Sequence, residues 1–179
     1  MDKNQLEQAL SELPLYTYFY ADPQKIEFSD RIRYICSTEC PMYNRTWACP
    51  PAVGEVASCK EKCLGYKKCL VIGTIVEVND ISDIEEGLAT RGDHERITRE
   101  ILQIVKEQSG ETLTLSTEAC AICERCAYLD GQPCRFPEKM HPCVESHGIN
   151  VLGLLEDLGL SFQYGENVVT WFSLLFYND

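Results

Sequence analysis

Four cysteines fall within the fifteen residues of CAICERCAYLDGQPC, from Cys120 to Cys134, and three more, Cys36, Cys40 and Cys49, fall within ICSTECPMYNRTWACPP. Thiols at this density constrain the fold more than any other feature, because each must pair, ligate or be packed away. The chain holds eleven cysteines, an odd number, so complete internal pairing is impossible. With 179 residues it is long enough to bury most of its apolar surface as one domain, 1–179, without the disulfides a very small secreted scaffold needs. The opening MDKNQLEQALSELP is polar and acidic, with no basic segment leading into an apolar core, so no signal peptide is expected. The longest apolar stretch, VVTWFSLLFY, is too short to cross a bilayer as a helix. A cytoplasmic protein is therefore expected. There, clustered cysteines serve as metal ligands or catalysts more often than as cystines.

The formal charge of −12 argues against nucleic acid as a partner, since phosphate binding needs a concentrated basic surface. It favours a basic redox partner protein, with association that weakens as salt rises. No Walker loop, dinucleotide fingerprint or nucleophile elbow is present.

Leu6, Ala9, Leu10 and Leu13 follow helical spacing up to Pro14, and YTYFYAD reads as a first strand. The stretch from Cys36 to Pro51 carries Pro41, Pro50 and Pro51 and reads as a loop. A helix is predicted around 53–66, then a buried strand in KCLVIGTIVEV. Ser82 and Glu85 suggest a capping box, and Asp93 is a candidate N-cap for a helix with Ile97, Ile101, Ile104 and Val105 on one face. ETLTLSTEA reads as a strand that delivers the chain into Cys120. Asn150 can cap a helix that buries Val151, Leu154, Leu155 and Leu158 and ends at Gly159 in the C′ position, before an interior strand, VVTWFSLLFY. The expected fold class is α/β: a single layered domain with a roughly four-stranded mixed sheet flanked by helices and two cysteine-rich metal-binding loops.

Cys120-x2-Cys123-x2-Cys126 lets one turning backbone wrap several corners of a cubane iron–sulfur cluster, with Cys134 as the more distant fourth ligand. The run departs from the bacterial ferredoxin pattern, because the fourth cysteine lies eight positions on and is followed by Arg135. Zinc is the competing reading, although four-cysteine zinc sites use two Cys-x2-Cys pairs and no second pair exists here. Copper(I) also suits soft thiolates.

Cys36-x3-Cys40-x8-Cys49 supplies three thiolates. A cluster held at three corners leaves one iron open to substrate; the alternative is a fourth ligand from elsewhere and a site that only transfers electrons. For the open-iron case, Arg45 and Trp47 are candidate contacts, against ordinary roles as surface charge and packing. Cys59 and Cys63 share a helical stripe with Val56 and Tyr66 and read as core, as does Cys69. Cys143 reads as a structural or free thiol, with reserve ligand as the other reading. His94 reads as exposed helix surface, and His141 and His147 bracket Cys143 without a ligand spacing.

Taken together, Cys-Pro-x-Tyr from Cys40, Trp47-Ala-Cys-Pro-Pro51, the Cys120 triad and CRFPEKMHPCVESHGINV resemble a family of predicted metal-binding proteins of unknown function, common in anaerobic bacteria and archaea. The resemblance covers nearly the whole chain. It implies Cys36, Cys40, Cys49, Cys120, Cys123, Cys126 and Cys134 as ligands to iron–sulfur clusters. With the cysteine spacing, the expected cofactor is one or two clusters of the four-iron four-sulfur type, with Zn as the alternative. The chain departs from that family at Asn44, where glycine is expected, and at Cys143, where a small hydroxyl residue is expected. Cys59, Cys63 and Cys69 look like additions. The function these readings favour is electron transfer or cluster-based redox catalysis; the alternative is a non-enzymatic metal-binding module or carrier.

Overall fold

The computed structural model describes residues 3–117, 119–160 and 165–178. Helix α1 (Lys3–Glu12) precedes strand β1 (Thr17–Ala21), helices α2 (Asp30–Glu39) and α3 (Val56–Leu64), and strand β2 (Lys68–Glu77). Helices α4 (Ile84–Ala89) and α5 (Arg91–Ser109) lead to the short β3 (Thr112–Leu115), and α6 (Val151–Asp157) and β4 (Val168–Tyr177) close the order.

The four strands form one sheet in the order β1-β2-β4-β3, and every pairing is antiparallel. Where a mixed sheet is expected, the last strand instead enters between β2 and β3 and runs against both. Strands β2 and β3 therefore point the same way, joined through α4 and α5, as a split β-α-β unit.

Both faces of the sheet are covered, which is why β2 and β4 read as continuous apolar runs rather than alternating ones. On one face, Cys69, Val71, Phe172, Leu174 and Phe176 pack with Cys63, Ile149, Val151 and Leu155. On the other, Leu70, Ile72, Leu175 and Tyr177 meet Leu6 and Leu10 of α1 and Ile97, Ile101 and Val105 of α5. Cys59, Cys63 and Cys69 are fully buried, as expected of core thiols. Burial pushes Cys63 up to about 12 and Cys69 well above its ordinary value, so both stay protonated inside the core.

Several local boundaries differ from expectation. Cys36 lies inside α2, so the loop begins only at Cys40, the extended C-cap. Helix α4 is capped by Asp83, which accepts from the N–H groups of Glu85 and Glu86, rather than by Ser82. Asp93 lies within the first turn of α5, which starts at Arg91. In α6, Asn150 caps Gly153 and Gly159 takes a left-handed φ of 68° after the helix, as predicted, but Leu158 is exposed.

Two backbone seams bring distant segments to one end of the molecule. The Ser29 N–H donates to Gly148 C=O at 2.7 Å, and the Asn150 N–H donates to Glu27 C=O at 3.3 Å, which sets α2 against the turn Glu145–His147. Gly148 has a φ of 76°, and an added Cβ there would lie 3.0 Å from Ser29 O and from Val56 Cγ1. Backbone cannot yield as a flexible side chain does. Gly148→Ala is expected to cost about 1–3 kcal/mol of stability, measured by chemical denaturation.

The second seam lies on the outer edge of β3. Ser116 forms a parallel bridge with Cys143, and the Ser116 N–H donates to Pro142 C=O at 2.9 Å while the Val144 N–H donates to Ser116 C=O at 2.9 Å. The same Cys143 donates its N–H to Ala48 C=O at 3.1 Å. One sheet edge thus ties the chain entering Cys120 to Cys143, and Cys143 to the residue before Cys49.

Candidate metal centres

The second cysteine group closes on itself. Cys120, Cys123, Cys126 and Cys134 border one narrow cavity, with Trp47, Phe136 and Met140 among its walls. Burial raises the Cys120 thiol above its ordinary value, and Cys126, Cys134 and Cys123 add to the rise, while a backbone N–H at Ile122 opposes it. A cation shared by the four sulfurs would offset the penalty on Cys120 as it replaces the thiol proton. Among the described residues, no three His, Cys, Asp or Glu side chains converge closely enough to hold a single metal ion. The four thiols surround a space instead of meeting at a point.

The cysteines of the first group do not line that cavity. Cys49 is buried, and Cys36 and Cys40 are half-buried at the end of α2. Burial raises Cys36, followed by the proximity of Cys40 and Glu145, with Arg33 opposing. Cys143 joins this group through its N–H to Ala48, and its Sγ–H donates to Glu145 Oε2 at 2.9 Å. Burial holds the Cys143 thiol well above its ordinary value, with Glu145 and Cys49 adding to the effect. Cys143 therefore stands next to Cys49 as a potential fourth thiolate, a position that no cysteine spacing reveals, because a long-range backbone bond creates it.

The loop between the groups is their common wall. Asn44 has a φ of 58°, a left-handed conformation that suits the glycine expected there and that asparagine tolerates better than most residues. Its side chain is held by Tyr128, whose hydroxyl donates to Asn44 Oδ1 at 2.7 Å. Trp47 meets Tyr128 edge-to-face at 5.1 Å and donates Nε1–H to Gln132 C=O at 3.0 Å. Arg45, Met42 and Thr46 border an open groove over Cys120, Cys123 and Cys126. Arg45 and Trp47 thus face the second cysteine group rather than their own. Among the described residues, the Thr46 hydroxyl is buried without a hydrogen-bond partner, an orphan that a neighbouring thiolate or inorganic sulfide would satisfy.

A buried polar chain runs beside these centres. His94 is buried, contrary to the exposed position expected from its polar surroundings in sequence. Its Nδ1 lies 2.9 Å from Thr74 Oγ1 and its Nε2 lies 2.8 Å from Ser173 Oγ. Ser173 in turn bonds Thr98 and Ser116, and the Ser116 hydroxyl donates to the Glu95 carboxylate. Burial works to raise Glu95, but His141, Ser116 and Arg99 outweigh it and hold the carboxyl below its ordinary value. His141 Nδ1 is 3.5 Å from Glu95 Oε2, and Arg99 Nη2 is 3.3 Å from the same oxygen. The only sign of this chain in the sequence is one serine in an otherwise apolar strand, Ser173.

The chain is an α/β domain in which four thiols border one cavity and Cys143 adjoins the residue before Cys49. The family model of a predicted metal-binding protein (DUF2284) matches residues 20–177, and the chain belongs to that family. No curated protein and no solved structure matches it. Among the described residues, no helix is long and apolar enough to cross a membrane.

Proposed function

We propose that the chain is an iron–sulfur protein with two centres. In this reading Cys120, Cys123, Cys126 and Cys134 hold a four-iron four-sulfur cluster. Cys36, Cys40 and Cys49 hold a second metal site, with Cys143 available to close its fourth position. The observation that supports the reading is that Cys120, Cys123, Cys126 and Cys134, in the Cys-x2-Cys-x2-Cys spacing with a more distant fourth cysteine, line one cavity. A zinc ion needs its sulfurs about 2.3 Å from one centre, whereas a cubane presents four separate iron corners to ligands spread around it.

When bound, such clusters supply one-electron chemistry. The protein's own part is to shelter Cys49 and Cys143, to hold Cys36 with the Arg33 charge nearby, and to offer Glu145 as acceptor for the Cys143 thiol proton. With Cys143 as a ligand the first site is closed and suited to electron transfer; with Cys143 swung away, a position is free for redox catalysis. The short wall of residues 42–48 between the groups suits electron exchange between them. A basic partner protein fits the acidic chain as electron donor or acceptor, with binding that weakens as ionic strength rises.

Purification without oxygen tests the proposal. The expected product is brown, with about eight iron and about eight sulfide per chain if both centres are cubanes, and gives paramagnetic resonance signals on reduction. Colourless protein with tightly held zinc and no sulfide would replace the reading by a zinc-stabilised binding module or metal carrier.

A further inference from the structure

A cavity of about 250 Å³ opens between the start of α5 and the segment that enters Cys120, outside the space bordered by the four thiols. Its volume falls below the roughly 300–1,000 Å³ of sites for drug-sized molecules, so it suits a small one. Arg91, Glu95 and Arg99 line it from α5, with Cys120 and His141 on the other walls. Among the described residues that line it, two guanidinium groups stand against one carboxylate, in a chain whose overall charge is −12.

The donors are also partly uncommitted. Arg91 Nη1 donates to Ala119 C=O at 2.5 Å, which anchors the guanidinium beside Cys120, and its Nε and Nη2 have no partner among the described residues. Among the described residues, His141 Nε2 is buried with no hydrogen-bond partner. Arg99 is braced by Lys139 C=O at 2.9 Å and by Glu95. Guanidinium groups fixed in this way match the planar, two-oxygen face of a carboxylate better than they match an uncharged ligand.

We propose that this cavity binds a small monocarboxylate beside Cys120, held by Arg91 and Arg99. The ligand would sit against a wall of the second metal centre, where a substrate of a metal-dependent reaction belongs. The proposal goes beyond the iron–sulfur reading, and the anion binding itself requires no particular metal.

The probe is 13C-labelled acetate, titrated by NMR into the intact protein prepared without oxygen, with acetamide and inorganic phosphate as comparisons. Acetate is expected to bind saturably, phosphate more weakly, and acetamide, its uncharged analogue, not at all. Arg91→Gln should weaken acetate by about tenfold or more. Gly92 lines the cavity, and nothing lies within 4 Å of where its Cβ would stand, so Gly92→Leu should fill the space and abolish binding while the helix folds normally. An unchanged circular dichroism spectrum and metal content check the fold and keep the metal reading separate. No saturable acetate binding, equal binding of acetamide, or undiminished binding in the folded Gly92→Leu protein would overturn the proposal. Phosphate binding more tightly than acetate would overturn the assignment to carboxylates.

Discussion

Cys49→Ser is expected to remove about half of the bound iron, about four of about eight atoms per chain, and to leave the signal of the Cys120 centre unchanged. The expectation follows from the separation of the two thiol groups. Cys120, Cys123, Cys126 and Cys134 share one cavity that none of the other cysteines lines, whereas Cys49 adjoins Cys143 through the bond from Cys143 N–H to Ala48. A serine hydroxyl keeps the size of the buried side chain but is a harder and far less acidic ligand for iron. The reciprocal change, Cys123→Ser, should remove the other half. Cys143→Ser discriminates further: it should retain a metal at the first site but change its resonance spectrum, because it alters the exchangeable fourth position and leaves Cys36, Cys40 and Cys49 in place. Metal and sulfide analysis with paramagnetic resonance on each variant checks all three. If Cys49→Ser and Cys123→Ser each erase both signals, the groups build a single shared centre and the two-centre reading fails.

The parts that the sequence made legible were those with a repeating apolar signal. Strands β2 and β4 are buried on both faces, and their unbroken hydrophobic runs announce it. The core role of Cys59, Cys63 and Cys69 followed from their helical stripe and strand setting. Helix α2 is illegible for the opposite reason: DRIRYICSTE buries none of its residues, so no stripe marks it, and only the N-cap of Ser29, which accepts from the Arg31 N–H at 3.2 Å, signals its start.

Long-range backbone pairing was illegible in principle. Cys143 carries no ligand spacing to Cys49, and their proximity is created by hydrogen bonds that join the β3 edge to residues 142–144 and these to Ala48. His94 reads as surface because its sequence neighbours, RGDHERIT, are mostly charged, yet it occupies the face of α5 that also buries Ile97, Thr98 and Ile101. The partners that make this burial tolerable, Thr74 and Ser173, come from two different strands. Spacing along one helix cannot report them.

That buried imidazole makes the protein sensitive to acid. Burial is the main cause that pushes His94 down to about 4, against the opposing influence of Glu95 and of the Phe172 backbone. In the unfolded chain the ring would titrate near its ordinary value of about 6.5. Between those two values the unfolded state binds a proton that the folded state refuses, so acid favours unfolding. The stabilisation is fully present above about pH 6.5, declines as the pH falls toward about 4, and is flat below that. At about 1.4 kcal/mol per pH unit, His94 accounts for a loss on the order of 3 kcal/mol across this window. His147, pushed down to about 4 chiefly by burial, contributes with the same sign. His94→Gln keeps a donor and an acceptor for Thr74 and Ser173 but cannot take up a proton. It should lower stability at pH 7 and flatten the slope between pH 6.5 and 4 by the His94 share. Urea unfolding of both proteins at matched metal content cancels the competition of protons with metal for the cysteines. Direct NMR titration of the ring gives the independent check: a His94 resonance that moves near pH 6.5, or an acid slope identical in the two proteins, would show that the imidazole is not held neutral by the Thr74–Ser173 pocket.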